Sequence, residues 1–92
     1  MSAKRTIWKF HIPMSSSSRV ELNIPRGFKI LDLQVQHGQP CIWAVVDPKA
    51  PKVPVQFMVV GTGFEVDAEL LTNHVGTFQV SRGEFVFHLF QL

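Results

Sequence analysis

The chain has 92 residues, one domain's worth, with a net charge of +2 that is too small to argue for a nucleic-acid partner. Hydrophobic residues make up 46% of it and charged residues only 17%, below the roughly 25% of an average soluble domain, so the surface left in water is under-charged. Cys41 is the only cysteine, which excludes an intrachain disulfide and a multi-cysteine zinc site.

Taken in chain order, the pattern is that of strands nearly throughout. From Thr6 to Ile12, Trp8, Phe10 and Ile12 alternate with Lys9 and His11, the period of a half-buried strand. Ser15 to Ser18 form a four-serine turn, after which Arg19–Ile24 alternates again with Val20, Leu22 and Ile24 on one face. These two segments are expected to pair as an N-terminal hairpin. Pro25-Arg26-Gly27 breaks the pattern, and Lys29–His37 resumes it, with Leu31, Leu33 and Val35 inward and Asp32, Gln34 and Gln36 outward. His37-Gly38-Gln39-Pro40 is a turn. Cys41–Val46 is apolar on both faces and reads as a strand covered on both sides.

Asp47-Pro48 ends that strand, and Pro48, Pro51 and Pro54 mark an extended loop. Val55–Val60 is a second two-sided strand, closed by Gly61-Thr62-Gly63, and residues 67–72 read as a loop or one short helix. Val75–Val80 and Phe85–Phe90 are strands joined by a tight turn at Ser81-Arg82-Gly83-Glu84. The fold class is therefore all-β: about seven mainly antiparallel strands in one domain over residues 1–92, forming a small β-sandwich or barrel. Phe85–Phe90 is apolar on both faces, so it must be central in a sheet or covered by another subunit.

A domain this small has thin stability without a staple, and none is available from cysteines. The under-charged surface and two-sided strands therefore point to a homo-oligomer. No long apolar run follows Lys4 and Arg5, so no secretory signal is expected, and Cys41–Val46 is too short to span a bilayer. A single thiol fits a reducing cytoplasm.

Residue types that carry chemistry are scattered. His11, His37, His74 and His88 show no metal-ligand spacing, so neither a metal nor another cofactor is expected. Gly61-Thr62-Gly63 follows a strand but lacks the lysine and hydroxyl residue of a phosphate loop, so it is first a turn. Asp47 is the most interesting carboxylate, beside Pro48, but an Asp-Pro step first initiates a turn. Cys41 reads as a small core residue, and Trp43 as core ahead of a stacking platform. No nucleophile stands with a base, so the chain reads as a binding protein and not an enzyme. A ligand site at a subunit seam needs basic, aromatic and hydrogen-bonding groups, and the candidates are Lys9, Gln36, Trp43, Thr62, Gly63 and His88.

Ile7-Trp8-Lys9-Phe10, Gln34-Val35-Gln36 with Gly38-Gln39-Pro40, and Trp43-Ala44-Val45-Val46-Asp47-Pro48 resemble a family of small phage and prophage proteins without an established function. Gly61-Thr62-Gly63, Gly76-Thr77-Phe78 and Val86-Phe87-His88 extend the resemblance over nearly the whole chain. Phe64 stands where the family pattern places a histidine. The resemblance implies a phage-encoded accessory protein, a class that often counters host defences, and it carries no site residues with it. Three functions are consistent with this reading. The first is a homo-oligomer that sequesters a small nucleotide-like ligand between subunits. The second is an inhibitor or adaptor bound to a host defence protein, and the third a small virion structural protein.

Overall fold

A computed structural model describes residues 4–14 and 18–92, so Ser15, Ser16 and Ser17 of the expected serine turn lie outside the described residues. Among the described residues seven strands are formed: β1 (Thr6–His11), β2 (Arg19–Pro25), β3 (Lys29–Gln36), β4 (Gln39–Val46), β5 (Lys52–Gly61), β6 (Asn73–Val80) and β7 (Phe85–Gln91). A single 3-10 turn at Ala68–Leu70 occupies the stretch expected to be a loop or short helix. The strands make a three-stranded sheet, β1-β4-β3, and a four-stranded sheet, β2-β5-β7-β6, with every pairing antiparallel.

The inner faces of both sheets supply one core. Ile42, Ala44 and Val46 of β4 and Leu33 of β3 meet Ile24, Phe57, Phe78 and Leu89 from the other sheet. Ile42, Val46, Ile24, Phe57 and Leu89 are fully buried, which at about 25 cal/mol per Å² makes this cluster the main source of stability. The sheets come closest where β3 lies along β6. There a Cβ placed on Gly76 would sit 3.1 Å from Leu33 Cδ2, so glycine is what permits the approach.

β1 and β2 do not pair as the expected N-terminal hairpin: β1 pairs with β4 and β2 with β5, in different sheets. Ile12, after β1, is fully buried and its N–H donates to the Pro40 carbonyl at 2.9 Å. It ties the chain into the core before the chain crosses to the second sheet. The hairpins that do form are β3–β4, through His37 and Gly38 with φ of 52° and 76°, and β6–β7. Positive φ at both central residues of the first turn matches the twist of the strands it joins.

Three side chains sit differently from their expected places. Leu31, expected inward, is 48% exposed, because the register steps from Ile30↔Ala44 to Asp32↔Trp43 and leaves Leu31 as the extra residue of a β-bulge. Ile30 takes the inward place instead. Pro54, expected in a loop, lies within β5 opposite Asn23. Alternation directs its nitrogen toward the β7 side, beyond the end of β7, where no ladder bond is lost. Trp43, expected in the core, is half-buried on the outer face of its sheet, whereas Trp8 packs against the core. Alternation fixes this, since neighbouring Ile42 and Ala44 are the residues that point inward.

β7 is interior to its sheet, as its composition required, yet only Leu89 among its residues is buried. β4 is central too, but the outer side chains of Trp43 and Val45 are half-exposed, so the expected two-sided cover is incomplete in one chain.

Candidate functional site

The six candidate residues separate into two triplets on opposite outer faces. Lys9, Gln36 and Trp43 lie on the outer face of the three-stranded sheet. Lys9 Nζ donates to Gln36 Oε1 at 2.8 Å, spanning the central strand β4, and Lys9 stands directly across from Trp43. His11 lies on the same face, where its Nε2–H donates to Gln39 Oε1 at 2.6 Å. Cys41 is buried there between β1 and β3 but outside the core cluster.

His88 lies on β7 of the four-stranded sheet and Thr62 in the turn after β5, and His88 is flanked by two hydroxyls. Thr62 Oγ1 lies 2.8 Å from His88 Nε2, and Thr77 Oγ1 lies 2.8 Å from His88 Nδ1. Thr77 Oγ1 is also 3.3 Å from His74 Nε2, and Thr62 Oγ1 is 3.2 Å from the Val86 carbonyl. With a neutral His88 ring, a single arrangement of protons satisfies all four contacts. Val86 can only accept, so the Thr62 hydroxyl donates to it and accepts from His88 Nε2–H. His88 Nδ1 then accepts from the Thr77 hydroxyl, which accepts from His74 Nε2–H. The row from His74 to Val86 is therefore one directed chain of hydrogen bonds.

The other members of this row were not legible as site residues. His74 and Thr77 are three apart, an odd spacing that on a regular strand puts them on opposite faces. The register shifts between His74↔Phe90 and Gly76↔Leu89, so Val75 is a bulge residue that returns His74 to the face of Thr77. The same shift brings the His74 ring to 5.1 Å from Phe90. The one sequence signal was Gly76 inside a strand pattern, a known mark of a bulge. Gly63, at φ 90°, completes the turn after β5 next to Thr62, as its turn reading required.

Two surface clefts adjoin these faces. One, of about 490 Å³, lies between the two bulges and is lined by Leu31, Asp32, Asn73, His74, Val75 and Gln91. Asp32 Oδ1 accepts from the Leu33 N–H at 2.9 Å, and Asp32 Oδ2 accepts from Gln34 Nε2 at 2.9 Å. The Gln34 amide first, and the Leu33 N–H second, hold the Asp32 carboxyl below its ordinary value. The second cleft, of about 430 Å³, is more apolar and lies beside the end of β5, between Met14, Met58, Phe64 and Val66.

Asp47 does what its Asp-Pro step required. Its carboxylate accepts from the Lys49 N–H at 3.0 Å, its carbonyl accepts from the Ala50 N–H at 3.0 Å, and Arg5 pairs with it at 3.8 Å. Among the described residues no three His, Cys, Asp or Glu side chains gather as a metal site, and no helix is long and apolar enough to cross a membrane.

A family model described as a domain of unknown function, DUF7352, matches residues 3–92. The chain belongs to the DUF7352 family. No curated protein and no solved structure matches it. Because the match runs over both sheets, this DUF7352 domain is the whole sandwich, and both outer faces lie within it.

Proposed function

We propose that this DUF7352 chain is a non-enzymatic binding protein that holds a small nucleotide-like ligand where the 490 Å³ cleft meets the row of His74, Thr77, His88 and Thr62. The directed hydrogen-bond row carries the reading. It fixes two imidazoles and two hydroxyls in place beside the ring of Phe90, giving a flat ligand both a stacking surface and polar groups for its edge. The cleft volume lies in the range of small-ligand sites. The protein works as a homo-oligomer in the cytoplasm of a bacterial host, as a phage accessory protein that counters defence by sequestration. Self-association is supported by Ile7, 56% exposed, together with half-buried Trp43 and Val45 on the outer face of the smaller sheet. Lys9, Gln36 and Trp43 enter the ligand site only if that face of one copy meets the His88 face of another.

The test is a thermal-shift screen of cyclic and ADP-ribose-type nucleotides. A binder at a hundredfold excess over its Kd adds about 2.7 kcal/mol of stability, and His74→Ala should remove that gain. No stabilisation by any nucleotide would reject the ligand. A second reading, an inhibitor or adaptor bound to a host protein, is favoured by the apolar strip of Ile7, Trp43 and Val45. Recovery of one stoichiometric host protein from lysate, with no nucleotide shift, would select it.

A further inference from the structure

We infer that β1 is the self-association edge, pairing antiparallel with β1 of a second copy so that the two three-stranded sheets become one of six strands. This deepens the homo-oligomer part of the reading above and rests on it.

The four sheet edges are not equally protected. β3 carries the bulge at Leu31, and the N–H of Leu33, which alternation turns away from β4, is capped by Asp32 Oδ1 at 2.9 Å. β6 carries its own bulge at Val75 and lies along β3. β2 turns Arg19 and Glu21 to solvent and ends in Pro25, which has no N–H to offer. Bulges, charges and proline are the devices that keep a strand edge from pairing.

β1 carries only one such device, the charge of Lys9, and its Nζ is drawn back across β4 to Gln36 Oε1 at 2.8 Å. Its six residues pair with β4 in unbroken register from Thr6↔Val46 to His11↔Cys41, with no proline and no bulge. Among the described residues no strand pairs with its other edge. The Ile12 N–H bonds to Pro40, which fixes the alternation: Thr6, Trp8 and Phe10 turn their backbone groups to β4, while Ile7, Lys9 and His11 turn theirs outward.

Three registers centre the dyad near the middle of β1, on Ile7, Trp8 or Lys9, and the charges separate them. Opposed residues of an antiparallel pair share a face, so each odd residue must meet an odd one. Centring the dyad on Lys9 opposes two ammonium groups, and centring it on Ile7 sets Arg5 against Lys9. Centring it on Trp8 opposes Ile7 to the partner's Lys9, Thr6 to the partner's Phe10 and Arg5 to the partner's His11, so that no lysine or arginine faces another. In that register the outward N–H and C=O groups of Ile7 and Lys9 meet those of the partner's Lys9 and Ile7. The two Trp8 rings meet across the dyad, covering a side chain that one copy leaves half-exposed.

The test combines light scattering with residue-resolved amide exchange. The wild-type chain should have the mass of two 10.4 kDa chains, and Ile7→Pro should be a folded monomer, because it removes only an outward N–H. In the wild-type dimer the amides of Ile7, Lys9 and His11 should exchange at least tenfold more slowly than in dilute monomer, while Trp8 and Phe10 should stay protected at both concentrations. A wild-type monomer at all concentrations would reject self-association altogether. A dimer that survives Ile7→Pro, or one whose Ile7 and Lys9 amides exchange freely, would reject this edge and leave self-association standing.

Discussion

Alanine at two glycines distinguishes a tight contact that yields from one that cannot. A Cβ on Gly61 would meet the Phe64 ring at 2.8 Å, closer than the 3.1 Å that separates a Cβ on Gly76 from Leu33 Cδ2. Distance alone ranks Gly61→Ala as the worse substitution. Phe64, however, is 76% exposed, so its ring swings into water at little cost. Leu33 is buried in the core, so its Cδ2 has no open space to turn into and relief requires the packing around it to shift. Overpacking of a core costs about 1–3 kcal/mol, while replacing glycine by alanine returns about 0.4–1 kcal/mol through the unfolded chain. Gly76→Ala should therefore destabilise by about 0.5–2 kcal/mol and Gly61→Ala by less than about 0.5 kcal/mol. Urea unfolding with unchanged m-values measures both, and combining Gly76→Ala with Leu33→Ala should cost less than the sum of the single changes. A larger loss at Gly61 than at Gly76, or strict additivity at Gly76 and Leu33, would refute the argument.

Other consequences are as direct. Leu31→Ala should change stability by less than about 0.5 kcal/mol while Leu33→Ala costs about 2–5 kcal/mol, since the bulge turns the first outward and leaves the second in the core; equal losses in denaturant melts would remove the bulge. Nitrogen shifts of neutral His88 should report the Nε2–H tautomer, and Thr62→Val should weaken that preference by removing the hydroxyl that donates to Val86 and accepts from Nε2–H. The Asp32 contribution should be complete above the ordinary carboxylate range and fall away as pH drops through its lowered value, so an acid titration of wild type against Asp32→Asn should show the two stabilities converging at low pH.

Most of the strand content was legible because alternation is a local property. Val20, Leu22 and Ile24 face inward as their period requires, and so do Leu33 and Val35. Partner choice is not local. β1 ignores β2, its neighbour in sequence, and pairs with β4 some 35 residues later, because Ile42, Ala44 and Val46 offer a buried face that Trp8 and Phe10 can complete. Prolines misled where their meaning depends on the neighbour: Pro54 looks like a strand breaker until the β7 strand is seen to end before reaching it.

The candidate site shows the same division more sharply. His88 and Thr62 are legible as hydrogen-bonding groups by residue type alone. Their meeting at 2.8 Å depends on β5 pairing with β7, which no local pattern specifies. Lys9, Gln36 and Trp43 do share a face, but it is the face of the other sheet, so no single copy unites all six residues. Strand parity also argues against His74 and Thr77 sharing a face, and one extra residue at Val75 reverses that answer. Two bulges, at Leu31 and Val75, thus line the polar cleft and interrupt two of the four sheet edges, and the one at Val75 aligns His74 with Thr77. Removing Val75 should therefore do more than weaken β6: it should turn His74 inward, break its contact with Thr77 and empty the row of its first donor.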